Sequence, residues 1–141
     1  DYRTAPSAMN KKEIRLFVFT EKGVYEYDAV ANSLTQKADG DHRELITGSA
    51  NGYKQAFAKE APVTLLMVID FNLIGTKNEQ TIMMGCVDAG NVSENINLYC
   101  QSVGLATVPR ATHDTDGIRK LLALTVNQLP IMNNPVGWPK K

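Results

Sequence analysis

Residues 79–103 read EQTIMMGCVDAGNVSENINLYCQSV, and the spacing within them organises the domain. Ile82, Cys86, Ala89, Ser93, Ile96, Cys100 and Val103 recur at steps of four and three, which sets them on one face of a long helix. Gly85, Cys86, Ala89, Gly90 and Ser93 form a patch of small side chains on that helix, across which another backbone can approach closely. Two readings stay open: a core helix within one subunit, or a helix packed against a second copy. Gly104 follows where a left-handed glycine ends a helix.

Upstream, VTLLMVID (63–70) is a nearly continuous apolar run, the pattern of a central strand covered on both faces. EIRLFVF (13–19) and VYEYD (24–28), joined by EKG, predict a β-hairpin with Gly23 in its turn, and SLTQKA (33–38) adds a third strand. Asp41 stands three residues before Glu44, a capping-box-like start for a helix at Leu45 and Ile46. NGYKQAFAK (51–59) predicts a second short helix, ended before Pro62. Downstream, LATVPRA (105–111) is extended. DTDGIRKLLALT (114–125) is a helix capped by Asp114 or Thr115, and IMNNPVGWP (131–139) is a closing strand and turn. With no repeat and no linker, residues 1–141 form one α+β domain.

Composition narrows the function classes. Fifteen basic and fifteen acidic residues cancel, which argues against a general nucleic-acid binder with its concentrated basic surface. No apolar run reaches the roughly 18 residues that span a bilayer. The chain starts at Asp1, so either a segment has been removed ahead of it or it is a fragment, and the expected compartment is the cytoplasm with export left open. Cys86 and Cys100 on one helix lie about 21 Å apart by helical rise, too far for a disulfide, and read as small buried hydrophobes.

The sequence also speaks against several chemistries. His42 and His113 stand alone and the cysteines lack ligand spacing, so no metal site is expected. Ser7 lies in no nucleophile elbow, and no phosphate-cradling glycine pattern is present. What remains is a small-residue loop, TAPSAMN (4–10), an extended loop carrying Arg110, and the lysines after GWP. Taken alone, Arg110 reads as a surface cation. Together, small side chains, backbone donors and cations suit a planar anionic cofactor.

RTAPSAMN (3–10), DAGNVSENINLYCQSVGLATV (88–108) and PVGWPKK (135–141) resemble, in order and spacing, the nitroreductase family, and the similarity covers nearly the whole chain. The resemblance implies a nitroreductase-like α+β fold: a central mixed β-sheet flanked by helices, with one long central helix. It further implies a homodimer with flavin mononucleotide (FMN) at the interface, NAD(P)H as electron donor, and a small electron-poor acceptor such as a nitroaromatic or quinone. Nucleic acid and membrane are not implied as partners. Pro6, Ser7 and Asn10 match the family's Pro-Ser-x-x-Asn loop against the flavin ring and ribityl chain. Val108, Pro109 and Arg110 fall where backbone groups lie beside the reactive edge, with Arg110 the main electrostatic candidate. Lys140 and Lys141 follow the turn from which a cation reaches the phosphate, and Arg3, with Arg15, is a further candidate there. No side chain is called on as a catalytic acid or base.

Three departures accompany the resemblance. The family's Asn-x-Gln-Pro-Trp is here Asn10-Lys11-Lys12-Glu13-Ile14, Pro109 removes a backbone donor, and the family's N-terminal helices have no counterpart. The alternative reading is therefore a non-catalytic, truncated binding or assembly module with an altered or empty flavin pocket.

Overall fold

The computed structural model describes residues 3–49 and 52–140. Among the described residues six strands form one sheet: β1 (Ile14–Thr20), β2 (Gly23–Asp28), β3 (Ser33–Asp39), β4 (Val63–Asp70), β5 (Ala106–Thr107) and β6 (Gln128–Gly137). Their order is β3-β2-β1-β4-β6-β5, and every described pairing is antiparallel where the resemblance implied a mixed sheet. The hairpin registers Phe19 on Val24 and Leu16 on Tyr27. Gly23 does not make its turn but opens β2, where a Cβ would lie 2.7 Å from the Ala38 carbonyl oxygen across the β2–β3 pair.

Alternation in β1 and β4 divides the sheet into two unlike faces. Phe17, Phe19, Leu66 and Val68 point to one side, where Ile46, Ala58, Ile118 and Leu122 close a dry core over them. These come from α1 (Glu44–Thr47), α2 (Phe57–Glu60) and the segment containing α5 (Thr115–Leu121). Ile14, Leu16, Leu65 and Ile69 point to the other side, toward α4 (Glu79–Val103). Between β4 and α4 the short helix α3 (Phe71–Ile74) turns the chain, with the Asn72 N–H met by the Asp70 carboxylate.

The long helix is the one expected, with the same bounds. Asn78 and Thr81 form a reciprocal capping box at its start, and Gly104 ends it at φ 75°. Its packed face keeps Ala89, Ser93 and Cys100 of the predicted set, with Ile82 and Ile96 half-buried, and departs from it at Cys86 and Val103. Gly85, Asp88, Ala89, Ser93 and Cys100 are buried, whereas Cys86 is exposed and Val103 largely so. The cause is Gly85: a Cβ there would sit 2.6 Å from Ile69 Cδ1, so closest approach falls one residue earlier and rolls Cys86 outward. Both cysteines are free.

Two helix starts also differ from the expected ones. Asp41 does not box with Glu44; it grips the Arg43 guanidinium at 2.8 and 2.9 Å and its N–H at 3.0 Å, while Glu44 turns to Lys54 and Lys59. The helix expected over 51–59 is confined to Phe57–Glu60, and Asn51 lies outside the described residues. At α5, Asp114 is the cap, accepting the Gly117 N–H at 3.0 Å. Among the described residues no helix is long and apolar enough to cross a membrane.

Candidate functional site

The 3–12 loop is shaped from within and tethered from outside. Ser7 Oγ accepts the Lys12 N–H at 2.9 Å and the Ser7 carbonyl accepts the Asn10 N–H, which closes a single 3-10 turn at Ala8–Asn10. Met9, Asn10 and Lys12 hold left-handed backbone (φ 51°, 55° and 56°), an arrangement that persists only where surroundings impose it. Those surroundings are α4: Asp88 Oδ2 accepts the Ala8 N–H at 2.6 Å, and Asn95 donates to Thr4 Oγ1 at 2.9 Å. Ser7 is half-buried, while Pro6 and Asn10 are exposed. Arg3 reaches the Lys12 carbonyl at 3.4 Å and borders two clefts.

Beneath this loop lies an acid pair that the sequence does not announce. Glu13 is fully buried and faces Asp88, which is 5 % exposed. Burial, and then the contact with Asp88, push the Glu13 carboxyl up to about 7. From sequence Glu13 is no more than the first residue of a strand, at the position where the family pattern has proline.

Val108, Pro109 and Arg110 run past the far edge of the sheet. Arg110 is 6 % exposed, not a surface cation. Its guanidinium donates to Gln55 Oε1 (2.7 Å), Asn133 Oδ1 (2.7 Å) and the Ile46 carbonyl (3.0 Å), and lies over the Phe57 ring. Burial draws its pKa down from the ordinary arginine value. Both backbone groups of Arg110 bond Asn133, and Pro109 has no N–H. Val108 is thus the member of the trio whose N–H has no partner among the described hydrogen bonds, and it is exposed. Lys140 Nζ pairs with Glu60 Oε2 at 2.6 Å, both side chains in solvent. Lys141 lies outside the described residues.

Three of the candidates form two sets by the cavities they line, while Pro6, Ser7, Asn10, Pro109 and Arg110 line neither of these cavities. Arg3 lines an apolar cleft of about 540 Å³ between the sheet and α4, floored by Leu16, Leu65 and Ile96. Val108 and Lys140 line a different cavity of about 370 Å³, with Phe57 and Trp138. Neither cavity is lined by residues of both sets. Between them, buried Asn134 accepts from Ser93 at 2.7 Å and donates to Asn97 and Thr107, pinning α4 to the β5–β6 edge.

The sequence model described as the nitroreductase family matches residues 1–138. A curated protein of Methanocaldococcus jannaschii, named as a nitroreductase, is 25% identical over 96% of this chain and 70% of its own length. A crystal structure of a Ralstonia eutropha protein, also named as a nitroreductase, superposes with a TM-score of 0.83 at 27% identity, covering 99% of this chain. The chain spans 64% of that protein's length. The NADPH:FMN oxidoreductase of Vibrio harveyi, crystallised with NAD+, shares the fold at 20% identity and a TM-score of 0.71, over 98% of this chain and 55% of its own.

Proposed function

We propose that this chain, which belongs to the nitroreductase family, is an FMN-dependent oxidoreductase that works as a homodimer and takes electrons from NAD(P)H. Bound flavin supplies hydride transfer from the nicotinamide to an electron-poor acceptor such as a nitroaromatic or quinone. The observation that carries this reading is the 4–10 loop, tied to α4 through Ala8 and Thr4 while Pro6, Ser7 and Asn10 offer a small-residue surface outward. The residues present fit a flavin at its ring more clearly than at its phosphate. The Ser7 hydroxyl, whose oxygen already accepts from Lys12, keeps its O–H to donate. Val108 offers a backbone N–H, and buried Arg110 adds positive charge from behind it. Arg3, Lys140 and Lys141 are the cations for the phosphate, and Lys140 must leave Glu60 to serve.

Two copies are part of the proposal because Arg3 lines one cavity and Val108 and Lys140 another within one chain. The exposed apolar residues Met83, Val87 and Leu98 on α4 supply a surface on which a second copy can pack. A second reading, a non-catalytic binding or assembly module, is favoured by one observation: the Arg110 side chain and backbone are already engaged inside the fold.

Titration of the purified chain with FMN and with riboflavin separates the two. We expect weak FMN binding, riboflavin within a few fold of it, and further weakening of the FMN preference by salt, because exposed charges are screened. No binding of either flavin at any concentration overturns the enzyme reading in favour of the module. Tight, salt-resistant FMN binding with strong rejection of riboflavin overturns the assignment of the phosphate to these exposed cations.

A further inference from the structure

Glu13 and Asp88 pose a problem of hydrogen-bond accounting. Glu13 is wholly buried, and written as a carboxylate neither of its oxygens has a donor. Its neighbour Asp88 is also an acceptor, already engaged by the Ala8 N–H at 2.6 Å. Two buried carboxylates side by side, with no donor between them, repel, and Glu13 stays desolvated, a costly arrangement. One proton on Glu13 resolves it, since the Glu13 O–H then donates to Asp88, and Asp88 in turn holds Ala8 in a short charge-assisted bond.

We propose that the proton between the buried carboxyls of Glu13 and Asp88 latches the 4–12 loop onto α4, and that losing it as pH rises releases the loop. The proposal stands on the buried pair and its tie to Ala8, independently of whether flavin binds.

The surrounding charges leave the task to this pair. On Glu13's own segment Lys12 precedes it and Arg15 follows, the latter engaged with Glu26 at 2.7 Å and with Asp70 at 3.6 Å. From the end of β4, Asp70 gives Glu13 only a backbone contact, its N–H donating to the Glu13 carbonyl at 2.9 Å. The Ala8–Asn10 turn and α3 carry no titratable side chain. On α4, Glu79 and Cys86 are exposed, and Asp88 is the neighbour that moves Glu13, in the same direction as burial. Ionising Glu13 therefore sets a second negative charge against Asp88 inside the protein. The strained backbone at Met9, Asn10 and Lys12 relaxes once Ala8 is no longer held.

The sign follows from linkage. The folded value of Glu13, about 7, lies above its ordinary 4.5, so its stabilising contribution is full below about 4.5 and lost as pH rises through about 7.

Hydrogen exchange at the Ala8 amide, with melting temperature on the same samples, tests this on the full chain across pH 5 to 9. In the parent, Ala8 should lose about tenfold or more of its protection between about pH 6 and 8, beyond intrinsic base catalysis. Glu13→Gln keeps a donor toward Asp88 at every pH, and Asp88→Asn offers its amide to Glu13 while its carbonyl still accepts from Ala8. Both should hold Ala8 protected, with melting temperatures that fall less than the parent's as pH rises. Parallel pH profiles for parent and variants overturn the latch. Should both variants fail to fold, a flat Ala8 protection profile in the parent overturns it and a stepped one supports it.

Discussion

The two faces of the sheet are built on different principles. Over Phe17, Phe19, Leu66 and Val68 the side chains are almost wholly excluded from water and the contacts are apolar. On the α4 side a smaller apolar cluster around Ile69, Phe71 and Ile74 stands beside an open cleft bordered by Leu16, Leu65 and Ile96, and polar pins add to the hold on the helix: Asp88 to Ala8, Ser93 to Asn134, Asn97 to Asn134. Apolar burial is non-directional and supplies stability, whereas a buried hydrogen bond fixes a position and is costly to leave unmade. The first face carries the larger apolar core. The second sets where its loop and its sheet edge stand.

Neighbouring substitutions on β1 make the sharpest test, because Phe17 and Leu16 point to opposite faces. Phe17→Ala should cost about 3–5 kcal/mol in denaturant unfolding, while Leu16→Ala should cost about 1 kcal/mol, since its side chain is only partly withdrawn from water. Equal losses would mean that the cleft face is as closely packed as the other, and the contrast would fail.

A smaller effect is expected from a pair on α4. Ala89 is fully buried, so Ala89→Leu should overpack the helix against the sheet at about 1–3 kcal/mol. A Cβ added at Gly90 would meet no atom within 4 Å, so Gly90→Leu should leave the chain as stable or raise it by up to about 1 kcal/mol through helix propensity. Sedimentation then isolates self-association: a weaker dimer in Gly90→Leu alone assigns that face to a second copy. A parent that is monomeric at micromolar concentration removes the homodimer.

The smallest expected effect is local to the loop. Ser7→Ala removes the acceptor for the Lys12 N–H and should cost about 1 kcal/mol, with exchange at Lys12 faster and the Phe17 core unchanged. A global loss comparable to Phe17→Ala would show that the loop belongs to the core.

How much of this is legible in the sequence depends on whether the signal is local. The bounds of α4 can be read because Asn78, Thr81 and Gly104 act within a turn of the helix, and β4 because its apolar run is continuous. The packed face slips at Cys86 because small residues stand on both sides of the true contact line, and only the neighbour Ile69 decides between them. Asp41 misleads because its partner is Arg43, an option that spacing to Glu44 does not register. The candidate site is legible as segments but not as an arrangement. Asp88 meets Ala8 across 80 residues, and nothing local marks a carboxyl before a strand as buried. Arg110 is misjudged likewise, since its burial depends on Gln55 and Asn133 from other elements.

The ends of the sheet have a consequence for the protein at high concentration. An uncovered strand edge is a template on which other chains can add, and repeated addition leads to insoluble fibres. Here one end is β3, polar nearly throughout, carrying the charged Lys37 and Asp39 and paired to β2 through an irregular register at Val24/Tyr25, features that blunt an edge. At the other end β5 pairs over only two residues, and β6 beyond it is interrupted by Pro130 and Pro135, which have no N–H to give, while Asn133 is already taken by Arg110. Growth by strand addition is thus blocked at both ends by side-chain charge and missing donors, so an association through α4 can remain a finite one.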